Sequence, residues 1–181
     1  MNSNRFNKLY WKHYIILEED FIYTHRYVEI SKNNFGTFSV EYTKQLQSIG
    51  SEFDVICREI CKYYGFYDKG SISDYASIII PKFINIQNEN VIIKSNKSIN
   101  IKPLGDWIIK PKHKSPEWWR AYNKIKHDRA NNLKKANLEN VLLALASLYL
   151  IEMFFIFDIA EKENVVLKIP RVASKLFEIK D

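Results

Sequence analysis

The chain has 181 residues, enough for one domain with a proper core. Hydrophobic residues make up 46% of it and aromatics 14%, which excludes disorder as the dominant state, and the scarcity of glycine and proline (five of each) argues against a turn-rich sandwich or barrel. A formal charge of +6 is compatible with a polyanionic partner without requiring one.

The opening stretch, MNSNRFNKLYWKHY, lacks a small-residue cleavage site and a clean apolar core, so it does not read as a secretory signal. A first helix is expected over Leu9 to Glu29, where Tyr10, Tyr14, Leu17, Phe21 and Val28 recur near the helical period. Asn33, Asn34 and Gly36 break it. Ser39 then serves as N-cap of a second helix, with Glu41 in the first turn where the helix dipole favours an acid. Here Tyr42, Leu46, Ile49, Phe53, Ile56 and Ile60 alternate steps of four and three, the seam of a helix buried against others. It ends near Tyr64 at Gly65. Cys57 and Cys61, four apart in this pattern, read as reduced core thiols of a cytoplasmic protein.

A short helix is expected from Ser71 to Phe83, stopped around Pro81. Val91-Ile92-Ile93 and Ile99-Asn100-Ile101, separated by SNKS, predict a small β-hairpin inserted between helices at about 90 to 103. Ser115 and Pro116 then form an N-cap and first-turn pair that opens a helix. After Asn131 and Asn132 a long helix runs from about Leu133 to Ala160. Its stretch Val141 to Phe157 is apolar almost all round, but at 17 residues with Glu152 inside it is short of the ~20 needed to span a membrane. It is expected to be a central core or dimer helix, with no membrane partner. The segment VVLKIPRVASKLFEI, broken by Pro170, is expected to pack as a short strap. The whole, 1–181, reads as one mainly α domain, a compact helical bundle carrying a hairpin.

Charge is not spread evenly. Between Ile108 and Leu138 nine Lys and Arg face two acids, Glu117 and Asp128, so that one segment holds more than the whole chain's net charge. Projected at about 100° per residue, Trp118, Ala121, Tyr122 and Ile125 fall on a buried stripe, and Arg120, Asn123 and His127 collect on the opposite face. Arg129 projects with the buried stripe. An unpaired buried guanidinium is costly, so Arg129 is expected to pair with Glu52 or Asp54. Trp119, toward the edge of the stripe, is a candidate to stack on a base, with Lys124 and Lys126 as phosphate contacts.

An exposed Arg and His on one helix face suit phosphodiester chemistry. Imidazole titrates near neutral pH and can move the proton of a ribose 2′-hydroxyl, while guanidinium grips a phosphate and stabilises the charge of the transition state. Asn123 could orient either group. That scheme needs no metal or other cofactor, and His13, His25 and His113 lack the companion Cys or Asp spacing of a metal site.

With Arg120 and His127 enclosing AYNKIK on the helix before the long apolar one, the chain resembles the HEPN superfamily of helical-bundle domains. The segments FSVEYTKQLQSIGSEFDVICREIC, PEWWRAYNKIKHDR and ANLENVLLALASLYL follow in the order seen in an uncharacterised bacterial branch of that group. The residue before Asn123 is Tyr122, so Arg120 meets only the loosest spacing of the family motif. The resemblance implies a homodimer in which two motifs face each other, a metal-independent RNase with Arg120, Asn123 and His127 as its catalytic set, and a role in toxin–antitoxin or phage defence with an antitoxin or defence partner. Three functions stand as expectations: an endoribonuclease, a non-catalytic RNA- or nucleotide-binding module on the same basic face, and a dimeric protein-interaction module.

Overall fold

Two helices form the axis of the molecule because they are the ones with apolar residues to bury. The structure, a computed structural model, describes residues 1–164 and 172–180. Helix α3 (Val40–Tyr63) buries the seam Tyr42, Leu46, Ile49, Phe53, Ile56 and Ile60 against α7 (Leu138–Glu163), whose apolar surface is buried nearly all round. Caps set their ends: the Ser39 hydroxyl accepts the Tyr42 N–H at 3.0 Å, and Asn137 accepts the Asn140 N–H at 3.0 Å. Gly65, at φ +88°, provides the left-handed turn that ends α3.

The N-terminal helix begins and ends earlier in the chain than its periodicity suggests. It runs through α1 (Ser3–Phe6), a π-turn (Asn7–Trp11) and α2 (Lys12–Thr24), stopping before Glu29. It packs on both α3 and α7. Helix α4 (Ile72–Lys82) is closed by a capping box between Ser71 and Asp74, and Pro81 sits inside its last turn. Helix α5 (Glu117–His127) wedges between α3 and α7. It comes close because α3 offers Gly50 there: a Cβ at that position would lie 2.6 Å from the Tyr122 ring.

The expected hairpin is present as β1 (Val91–Ile93) and β2 (Asn96–Ile101), paired Val91↔Ile101 and Ile92↔Asn100 with an irregularity before Ile93↔Asn96. It is part of a larger unit. Strand β3 (Phe177–Ile179) pairs antiparallel on the other side of β1, giving a three-stranded sheet in the order β2-β1-β3. The fold is therefore mainly helical with a small antiparallel sheet as insertion. The expected strap ends in this strand, and its first part, 165–171, lies outside the described residues.

A buried carboxylate fastens that strand. Glu18, with no exposed surface, accepts the Tyr14 hydroxyl at 2.6 Å, the Lys175 N–H at 2.8 Å, the Leu176 N–H at 3.3 Å and the Ser174 hydroxyl. Among the described residues α7 alone could cross a membrane by length and composition, but 72% of its most apolar window is buried within the protein, as in a core helix.

Candidate functional site

Helix α5 is held by aromatic packing. Phe53 of α3 lies with its ring centroid 4.9 Å from Trp118, 5.8 Å from Trp119 and 5.9 Å from Trp107, and Trp119 in turn lies 5.1 Å from Tyr122. Trp119 is only 7% exposed, so it belongs to the core and is not available to stack on a base. The wheel placed it at the edge of the buried stripe; neighbouring α3, through Phe53, covers that edge.

Helix α5 ends at His127. Asp128 leaves the helix (φ −150°, ψ 71°) and caps a new turn, α6 (Arg129–Asn132), by accepting the Asn131 backbone N–H at 3.4 Å and its side-chain amide at 3.0 and 3.1 Å. A wheel continued through residue 129 therefore fails. Arg129 is exposed and makes no ion pair among the described residues. The acids expected to meet it are taken by others. Glu52 lies 3.0 Å from His13 Nδ1, and Asp54 accepts Arg58 at 2.7 Å and the Tyr75 hydroxyl at 3.0 Å.

The Arg-Asn-His row exists as a surface stripe, but its members point apart. The Arg120 guanidinium donates to the Ser115 carbonyl and lies 3.9 Å from Asp106. Asp106 also accepts the Glu117 N–H at 3.0 Å, so it anchors the start of α5, where an acid complements the helix dipole. Asn123 donates its amide to the Trp119 carbonyl at 3.0 Å. His127, two turns beyond Arg120 and about 10 Å farther along the axis, is exposed with no hydrogen-bond or ion-pair partner among the described residues. Contacts with Ser115 and Asp106 hold the Arg120 head group toward the start of the helix, away from the imidazole. Within one chain the two groups do not meet.

The fold assembles something else, a basic turn. The backbone of 36–39 pairs with the start of α7, with the Leu138 N–H donating to the Thr37 carbonyl at 2.9 Å and the Ser39 N–H to the Ala136 carbonyl at 3.4 Å. This folds the 3-10 turn Leu133–Lys135 against α5. Arg120 and Lys124 then share a cleft of about 120 Å³ with Glu117, Lys135 and Asn140, and an adjoining hollow of about 240 Å³ adds Lys134, Asn137 and Glu139. On the other side of the turn, Arg129 lines a third cleft, of about 360 Å³, with Val40, Thr43, Lys44, Gln47 and Leu133.

Lys124, Arg129, Lys134 and Lys135 have no carboxylate within 4 Å among the described residues, whereas Lys44, Arg58, Lys62, Lys162 and Lys175 each have one. Lys126 lies over the Tyr122 ring at 5.6 Å. Sequence patterning missed Lys44, Gln47 and Asn140, which only tertiary packing brings beside this turn. A cysteine nucleophile is not offered: burial pushes the Cys57 thiol far up and that of Cys61 to about 11, which keeps both protonated. Among the described residues no group of three or more His, Cys, Asp or Glu is placed to hold a metal ion.

No family model matches the chain, and no curated protein or solved structure is significantly similar to it.

Proposed function

We propose that the protein binds RNA through the basic turn joining α5 to α7, as a HEPN-like module that holds phosphates rather than reads bases. The observation that supports this best is the cluster of uncompensated cations, Lys124, Arg129, Lys134 and Lys135, standing around shallow clefts. What sets these four apart is their grouping around one turn, where like charges repel one another and a polyanion relieves the repulsion. The two clefts beside α5 are open and polar, which suits a backbone passing over them, and the one beside Arg129 adds the apolar side chains of Val40 and Leu133. The setting that goes with the resemblance is the bacterial cytoplasm, with an antitoxin or defence protein as partner.

A second reading, metal-independent endoribonuclease, draws on His127. Its imidazole is exposed and unpaired, as a group exchanging protons with substrate must be. Arg120 is tethered away from it, so an active site would need a cation from another chain or a shift of α5. RNA cleavage in EDTA separates the readings. The binding reading predicts retention of RNA without new ends, equally in the wild type and in His127→Ala. Cleavage to 2′,3′-cyclic phosphates, lost in His127→Ala, would establish the nuclease instead.

A further inference from the structure

The N-terminal helix carries an apolar line that stays exposed among the described residues. Leu9 and Ile16 are each 47% exposed, Tyr23 is 54% and Tyr27 is 75%. Single exposed hydrophobics are ordinary, but Ile16 and Tyr23 stand seven residues apart in α2, the repeat of a helix–helix seam, and Leu9 lies in the π-turn that leads into it. The charges along the same face are segregated. Lys8 and Lys12 lie toward the N-terminal end, and Glu19 and Asp20 lie about one turn beyond Ile16. Lys12 and Asp20 are exposed, and neither has an ion-pair partner within 4 Å among the described residues; Glu19 pairs with Lys175 at 2.9 Å.

We propose that this face is the contact between two copies of the chain, with α2 packed antiparallel on its twofold mate about Ile16. In that arrangement Ile16 meets Ile16, Leu9 meets Tyr23 twice, and Lys12 meets Asp20 twice. A parallel pairing would set Lys12 against Lys12 and Asp20 against Asp20. The surface is thus complementary to itself in one orientation, as a twofold interface requires. Helix α7, the other candidate from its composition, spends its apolar faces inside the chain, with Phe157 its exposed large hydrophobic. Helix α2 meets α3 beside Gln45 and Glu52, while α5 meets it beside Gly50 and Phe53, about a third of a turn away round the axis. The proposal does not depend on the RNA reading.

A one-helix contact belongs at the small end of specific interfaces, about 1,200 Å² in total or less, where weak and transient associations fall, so the test spans micromolar concentrations. Sedimentation equilibrium over that range tests it, on wild type, Ile16→Asp, Lys12→Glu and Asp20→Lys, with thermal melts to verify folding. The wild type shifts from one chain to two with concentration. Ile16→Asp weakens this by about tenfold or more, as do Lys12→Glu and Asp20→Lys alone, since each reversal opposes like charges twice. An equimolar mixture of Lys12→Glu and Asp20→Lys regains association, because both cross-pairs are then opposite in sign. A wild type that stays monomeric throughout, a dimer indifferent to Ile16→Asp, or a mixture no better than its separate components would each overturn the proposal.

Discussion

Two buried glutamates show how differently one residue type behaves. Glu18 has its oxygens occupied by backbone and hydroxyl donors from the C-terminal segment. Truncating it strands the Lys175 and Leu176 N–H groups in the interior, so Glu18→Ala should cost about 2–4 kcal/mol and speed amide exchange at those two residues. Exchange unchanged at both would show that β3 is held by other contacts. Glu152, equally buried at the middle of α7, has no partner for either oxygen among the described residues. Burial first, and the nearby charge of Glu52 second, push its carboxyl far above the usual 4.5. A folded-state pKa raised in an acid means that the folded protein binds a proton the unfolded chain releases. Stability is therefore highest below pH 4.5 for this group and declines as pH rises from there toward the folded value. Glu152→Met should raise stability at pH 7 by about 1–3 kcal/mol and flatten that decline, measured by urea unfolding at mildly acidic and neutral pH. A variant less stable than wild type at both would mean that the carboxyl makes a needed contact.

At the scale of elements, α5 is placed by one missing side chain. Gly50→Ala drives a methyl into the Tyr122 ring, and a close contact with a packed aromatic cannot be relieved without moving the helix. The expected loss is about 1–3 kcal/mol, partly recovered by Tyr122→Leu in a double-mutant cycle; additive losses would place the strain elsewhere. Elements with their own signals were legible in the sequence. The seam of α3 and its Ser39 cap, the Ser71 start of α4 and the β1–β2 pair all depend on neighbours in sequence. What failed depended on partners far away. β3 is three residues long and pairs across more than eighty positions, so nothing local marks it. The bend at Asp128 could have been seen: an Asp three residues before Asn131 is a capping signal. Reading the helix through it sent Arg129 into the core and toward Glu52 and Asp54, when a fresh turn had already pointed it outward.

For the molecule as a whole, charge and packing are divided between different surfaces. The apolar mass of α7 and α3 makes one core, the N-terminal helix packs on it, and the basic turn joins α5 to α7. The excess charge between 108 and 138 was plain from composition, but its compensation was not. Only the fold decides that Arg120 and Lys114 lie beside Asp106 while Lys124, Arg129, Lys134 and Lys135 stand alone. The account thus assigns RNA binding to the lone cations and not to the Arg120–His127 pair. The most direct measurement is the affinity for a labelled single-stranded RNA, across about 50 to 300 mM salt, of wild type, Lys124→Glu/Lys135→Glu and a control reversal at Lys97 on the sheet. The account predicts wild-type binding that falls with a log–log slope of about −0.7 per phosphate held, about tenfold or greater loss in the double reversal, a shallower slope there, and little change in the control. RNA left unbound by the wild type at low salt, or a double reversal that binds as the control does, would contradict it.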